Sequence, residues 1–438
     1  MNDPSSHHEF RLEVHEHPIA EVVLGERTFL EGTRLTLNVA DMKAIAAQED
    51  ALADIEVAVA RPGESVRIIH ALDAVEAMAK VAGPGTVSPG FLGPPVTVGI
   101  GATRKLTGML VLSTAEFPEP TSGGLGYRDG IIDMTGPGQP YCQASNSINV
   151  VVSYKPRGGV TNRQLDDAVR RSTLRIAQFI GQTSASLAPA RTSKYELAPV
   201  SPDLPRIAYI DQIMSQTLMT RTFVYGQQLG EDALPTLIHP NELIDGAIVS
   251  GNYKNVQKVA TYLHSNKPVM KELYRRHGVD LNFVGMVVNR GHRDTFDLKE
   301  HGAQYSAKLA KLLGAQGAVI AFEGGGGATV DFMLTVKACE QVGIRPVAEM
   351  YEHAAAGSGE FPIVYHVPAA DAIVTRGAGS EMITAPKVER VLGGSHRLCL
   401  YGGATIIEDA SQSFDVATAE YWGVDWQLGE SGFVAREY

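Results

Sequence analysis

Cysteine is scarce in this sequence. There are three in 438 residues, Cys142, Cys339 and Cys399, widely separated and without a CxxC pair. That argues against a disulfide framework, a zinc knuckle and a dithiol redox centre. Long apolar runs are missing too. No stretch approaches the roughly 20 consecutive apolar residues that span a bilayer, and residues 1–11 are polar, with no apolar signal core. Basic clusters are absent. Lys and Arg total 38 against 49 Asp and Glu, for a net charge of −11. Nucleic acid and an anionic membrane surface are therefore disfavoured as partners, because both require clustered Lys and Arg. A soluble cytoplasmic protein is expected. His7, His8, His15 and His17 lie in a terminal segment with no fixed geometry, so no metal site is expected there.

What is present is ordinary for a globular chain. The sequence is 44% hydrophobic and 20% charged, enough for a sizeable core. At roughly 150 residues per domain, two or three domains are allowed. The first half reads as β-rich, with strand-like runs at 14–24, 34–39, 56–60, 66–70, 105–113 and 148–153. Arg61-Pro-Gly-Glu-Ser65 carries a strong turn signal, and residues 83–95, rich in Gly and Pro, form a loop. Thr161-Asn-Arg-Gln164 has capping-box spacing. Leu165, Val169, Ile176 and Ile180 then share a helical face, with Gly181 as a plausible stop. Residues 182–205 are rich in Ser, Thr, Ala and Pro and read as an interdomain linker. Beyond them, apolar runs at 206–210, 246–250, 282–289, 318–322, 346–350 and 371–375 alternate with helical patterns. Two of these, at 298–313 and 330–342, stop at Gly314 and Gly343. Strands alternating with helices imply a mostly parallel sheet. The expected fold is α/β: a β-rich α+β domain over 1–204, then a mostly parallel, doubly wound sheet domain over 205–438.

In open α/β sheets, ligands bind beyond the carboxyl ends of the strands. That rule selects Ser250, Asn252 and Tyr253 after the second run, and Asn289, Arg290 and His292 after the third. Glu323 and the glycines 324–327 follow the fourth, Glu349 and Tyr351 end the fifth, and Arg376 and Gly377 follow the sixth. Carboxylates, amides and an arginine converging on one edge suit a small amino acid or related zwitterion. The glycine run matches neither GxGxxG nor the P-loop, and reads as a tight turn or a ligand contact. Cys142 has no evident partner and reads as an inert thiol rather than a nucleophile. Arg61 and Glu64 form either a structural pair across the turn or a carboxylate clamp, for which only the planar guanidinium speaks.

Several segments together resemble the component B precursor subunit of the glycine, sarcosine and betaine reductases. They are RPGESVRI at 61–68, Gly83-Pro-Gly85, GIIDMTGPG at 130–138, Tyr225-Gly226, DGAIVSGN at 245–252, LNFVG at 281–285, the Glu323-Gly loop and the region 402–405. The likeness runs from about residue 10 to the C-terminus. It implies a chain cut between an Asn and a Cys, with the Cys becoming a pyruvoyl group whose ketone forms a Schiff base with the substrate amine. A cysteine or selenocysteine on a separate component B subunit then displaces the amine, and the acyl fragment leaves on a carrier protein. Here the Asn is Asn252 and the next residue is Tyr253. A phenol can neither perform the backbone acyl shift nor eliminate to dehydroalanine, and Ser250 lies on the wrong side of Asn252.

The resemblance therefore implies an oxidoreductase subunit without a pyruvoyl group or other cofactor. It would act on a small amine or amino-acid-like molecule by reductive C–N cleavage, in an oligomeric complex with a thiol- or selenol-bearing partner. Quaternary nitrogens cannot form Schiff bases, so a pyruvoyl-free variant is chemically reasonable. Strand ends and motifs together place Asn252, Tyr253 and Glu323 at the reacting centre. Arg61, Glu64, Asp245, Ser250, Gly324, Glu349 and Arg376 fall around the substrate. A repurposed C–N or C–S bond-cleaving enzyme of another class, and a non-catalytic scaffold subunit, are the alternatives.

Overall fold

The computed structural model describes residues 10–118, 129–216, 220–251, 259–324, 326–352, 363–378, 381–400 and 405–423. Five apolar runs of the second half lie side by side as parallel strands: Arg206–Met214, Asn282–Gly291, Gly317–Phe322, Arg345–Glu352 and Ile373–Ala378. Thr236–Ile238 adds an antiparallel edge beside Asn282–Gly291. Numbered along the chain, the parallel strands stand in the order second, first, third, fourth, fifth. The chain thus leaves the first strand in one direction and resumes on its other side. Such a reversal opens a crevice beyond the carboxyl ends of the first and third strands.

Side chains alternate across a strand, and the sheet uses both faces. Ala208 and Ile210 join Ala303, Ala307 and Phe332, from the helices Phe296–Leu312 and Gly327–Gln341, in one core. Tyr209 and Ile213 point the other way, into a core with Met270 and Leu273 of the helix Pro268–Arg276. The run at 246–250 departs from expectation. Its strand, Ile248–Ser250, pairs antiparallel with Thr222–Val224 and lies outside the parallel sheet. Val249 packs into a core built mainly from the first half of the chain. An apolar run signals burial but does not say which sheet buries it.

The first half contributes two four-stranded sheets. One orders Arg191–Glu196, Arg11–Pro18, Gly101–Thr107 and Met78–Ala82; the other orders Leu52–Ala60, Ile148–Pro156, Met109–Thr114 and Ala71–Val75. The helix Asn162–Gln182 opens with the expected capping box at Thr161 and Gln164. It does not stop at Gly181. That glycine is buried against Met78, whose backbone would lie 2.6–2.8 Å from an added Cβ, so its role is close helix–strand approach. The stretch 182–205 contains the strand Arg191–Glu196, paired antiparallel with Arg11–Pro18. The chain's later part also returns: Arg390–Leu392 runs parallel to Val66–Ile68. The result is a mixed α/β chain of several sheets. No described helix is long and apolar enough to cross a membrane.

Candidate functional site

The sheet's crevice is bridged by Glu323, the residue after Gly317–Phe322. Its N–H donates to Gln212 O at 2.8 Å, and its Oε2 accepts from Met214 N at 3.2 Å. The carboxylate is fully buried. Facing it, His264 Nε2 lies 3.6 Å from Glu323 Oε1, with both side chains fully buried. His264 closes the short helix Thr261–His264, which leads into Lys267. Lys267 forms a buried ion pair with Asp211, a carboxylate inside the first strand. Asp211, Ala321 and Glu349 stand in register across three strands, and Glu349 is buried as well. Buried charges need partners, and the segment 259–267 supplies Lys267 to Asp211 and His264 to Glu323.

The same segment is fastened to the first half on its other side. Thr261 donates to Asp73 through its N–H at 2.9 Å and its Oγ1 at 2.6 Å. Asn266 accepts from Lys105 Nζ at 2.8 Å and donates to Glu76 at 2.7 Å. Lys105 and Glu76 pair at 2.7 Å. Burial pushes the Asp73 carboxyl up to about 7. The arrangement is a polar seam between the parallel sheet and the first-half sheets. An imidazole facing a carboxylate can hold or move a proton, while Lys267 offers a fixed positive charge.

The structure brings two of the sequence-selected residues to this seam. Glu323 lines it from the sheet, while Glu349 stands in register two strands from Asp211. Ser250 touches its base, donating through Oγ to Val259 O at 2.6 Å and through N–H to Thr261 Oγ1 at 3.0 Å. Gly324 follows Glu323 with φ +91°, and an added Cβ would strike His292 Nε2, so only glycine fits. Burial holds His292 down at about 4, leaving it neutral. Asp245 lies elsewhere: its buried carboxylate accepts from Gly99 N at 2.7 Å and from the side chains of Thr103 and Lys80. Arg61 and Glu64 are also remote from the seam and engage protein partners. They pair at 3.0 Å, Arg61 donates to Val22 O at 2.7 Å, and Glu64 accepts from Arg390 at 3.0 Å. Arg376 lies in Ile373–Ala378, but its side chain is outside the described residues, as are Asn252 and Tyr253 altogether.

Asp73, Asp211, His264 and Lys267 were not among the sequence candidates. A signal existed for the first two. Each is a carboxylate inside an apolar strand run, where an ionisable group must find a partner. His264 and Lys267 sit in a segment too short for periodicity to reveal.

Fold and site define a class: a mixed α/β protein with acid–base groups buried at the strand-order reversal of a parallel sheet. Among the described residues, no group of three His, Cys, Asp or Glu side chains is placed to hold a metal ion. The chain belongs to the family of glycine/sarcosine/betaine reductase component B subunits, whose profile matches residues 10–435. It is 34% identical over 438 residues to the glycine reductase complex component B subunits alpha and beta of Acetoanaerobium sticklandii, covering 98% of this chain and 100% of that protein. It is 34% identical over 390 residues to the sarcosine reductase complex component B subunit alpha of Peptoclostridium acidaminophilum, covering 87% and 89%. The betaine reductase complex component B subunit alpha of the same organism is 32% identical over 401 residues, covering 87% and 88%. No solved structure matches the chain.

For a pyruvoyl group, the cut that the resemblance implies after Asn252 would need a thiol or hydroxyl residue next in the chain, and Tyr253 stands there. The nearest described hydroxyls, Ser250 and Thr261, are committed to Val259 O and Asp73. Cys142 and Cys339 are buried, and burial pushes both up to about 12. Cys399 is buried too. The residues present do not fit the group.

Proposed function

We propose that this chain is a reductase-complex subunit that takes part in reductive C–N cleavage of a small amine or amino-acid-like substrate without a pyruvoyl group. The thiol or selenol would come from a separate component B-like subunit, in an oligomeric complex in the cytoplasm. The observation that carries the reading is Tyr253, which stands where the resemblance would put the family's cysteine, within a family match that spans residues 10–435. The seam supports it: His264 and Glu323 can manage the proton of a departing amine, and the buried cysteines leave the nucleophile to a partner. The names of the relatives, which cover glycine, sarcosine and betaine reductase, support the substrate class. The division into a β-rich α+β domain over 1–204 and a parallel-sheet domain over 205–438 is part of the same proposal.

The test is the intact mass of the protein made in its native host. A single species near 46.9 kDa that does not react with borohydride or hydrazine reagents is expected. Two fragments meeting near residue 252, the second with a blocked N-terminus, would overturn the proposal. Assay of the chain together with a cysteine- or selenocysteine-bearing partner against a panel of small amines tests the activity itself.

A further inference from the structure

We propose that a cavity at the same sheet edge, beside the seam, binds a small zwitterion, one carboxylate and one cationic nitrogen a bond or two apart. The cavity encloses about 330 Å³ and is lined by Ser215, Gln216, Gln228, Glu231, Arg290 and Asp294. That volume lies at the lower end of the ~300–1,000 Å³ typical of small-molecule sites. Ser215 directly follows Arg206–Met214, and Arg290 ends the neighbouring Asn282–Gly291. The cavity therefore opens beyond the carboxyl ends of two adjacent parallel strands. It adjoins the seam through Met214, whose N–H is held by Glu323.

Arg290 gives the cavity its chemistry. The residue is 5% exposed. Its Nε donates to Ser215 O at 2.6 Å, and its Nη1 pairs with Glu231. Its Nη2 has no hydrogen-bond partner among the described residues. The NH₂ opens into the cavity with no protein acceptor among the described residues, and a carboxylate is the natural acceptor for it. Both Glu231 oxygens are engaged, one by Arg290 and one by Asp294 N at 2.8 Å. The Asp294 side chain stands exposed at the rim and bonds to no described residue.

The lining charges select the ligand. Arg290 contributes one positive charge, and Glu231 and Asp294 contribute two negative ones. A phosphate or other dianion would meet both carboxylates, and a simple cation would meet the guanidinium. A zwitterion satisfies both ends, with its carboxylate on Arg290 Nη2 and its nitrogen toward Asp294, while Gln216 and Gln228 supply neutral donors and acceptors. The proposal rests on the reductase-subunit reading only in drawing its ligands from that substrate class, and it assigns this cavity a binding role apart from the seam of His264 and Glu323. Occupancy is measured without turnover, so the two readings fail separately.

The experiment is calorimetric titration of the purified full-length chain with glycine, sarcosine and betaine. Propionate and methylamine serve as half-ligands. At least one zwitterion should bind at least tenfold tighter than either half-ligand. Arg290→Gln should weaken that binding about tenfold or more, and Asp294→Asn several-fold. Asp294 has no side-chain partner to lose, so its variant keeps the fold, as circular dichroism will show. Should Arg290→Gln fail to fold, Asp294→Asn and the half-ligands decide the matter. The site is refuted if no zwitterion outbinds propionate, or if Asp294→Asn binds as the wild type does.

Discussion

Asp73 lies in the strand Ala71–Val75, is 3% exposed, and accepts from Thr261 and Ala74. Burial raises its pKa from 3.8 to about 7. Between those values the native chain keeps a proton that the unfolded chain has released. Stability therefore declines as pH rises from about 4 to about 7 and levels off above, with a slope of at most ~1.4 kcal/mol per pH unit. Asp73→Asn removes that slope. Urea denaturation should show the variant faring better relative to wild type at pH 8 than at pH 5; equal differences would contradict the assignment. His264 makes the second residue-scale case. If it manages the amine's proton opposite Glu323, His264→Gln should lower turnover roughly 10²-fold or more, with zwitterion binding at the Arg290 cavity unchanged. Retention of full turnover in that variant would remove His264 from the chemistry. In the sequence Asp73 showed only as a carboxylate inside an apolar run and His264 gave no signal, because neither role appears until the partners are known. Asp73 and Thr261 are separated by 188 positions.

Elements were far more legible. The capping box at Thr161 depends only on residues three apart, and it forms as read. Thr161→Ala should cost about 1 kcal/mol, seen as a lower urea midpoint with an unchanged m-value. Gly181 in the same helix teaches the opposite lesson. Replacing a helical glycine with alanine usually gains about 0.5–1 kcal/mol. Here the added Cβ would lie 2.6 Å from the Met78 backbone, and overpacking of this kind costs about 1–3 kcal/mol. Gly181→Ala should therefore melt lower than wild type; a higher melting temperature would show that the helix can shift away from the strand. Apolar periodicity likewise located the helices Phe296–Leu312 and Gly327–Gln341 to within a few residues. It could not reveal that Ile248–Ser250 leaves the parallel sheet, since pairing partners are not written in a strand's own residues.

At the scale of the whole molecule, the two halves share their interiors. Leu12, Val14 and Val98 pack in one core with Tyr209, Phe283 and Met286. Asn241 donates to the carbonyls of Phe10, Gly99 and Tyr195. Fully buried Arg67 pairs with Asp133 at 2.6 Å and donates to Ala410 O at 2.6 Å, binding the chain's later part to its beginning. Residues 205–438 expressed alone should lack fixed near-ultraviolet dichroism and a cooperative melt, because that core would lose one wall. A cooperative transition in that fragment would show that the wall is dispensable. The sequence was sufficient for the class of several elements, the α/β character and the family likeness, because caps, periodicity and motifs act over a few residues. The seam at Glu323 and His264, the Arg290 cavity and the sharing of cores were settled only in three dimensions. There, burial forces charges to find partners, and those partners lie tens to hundreds of residues away.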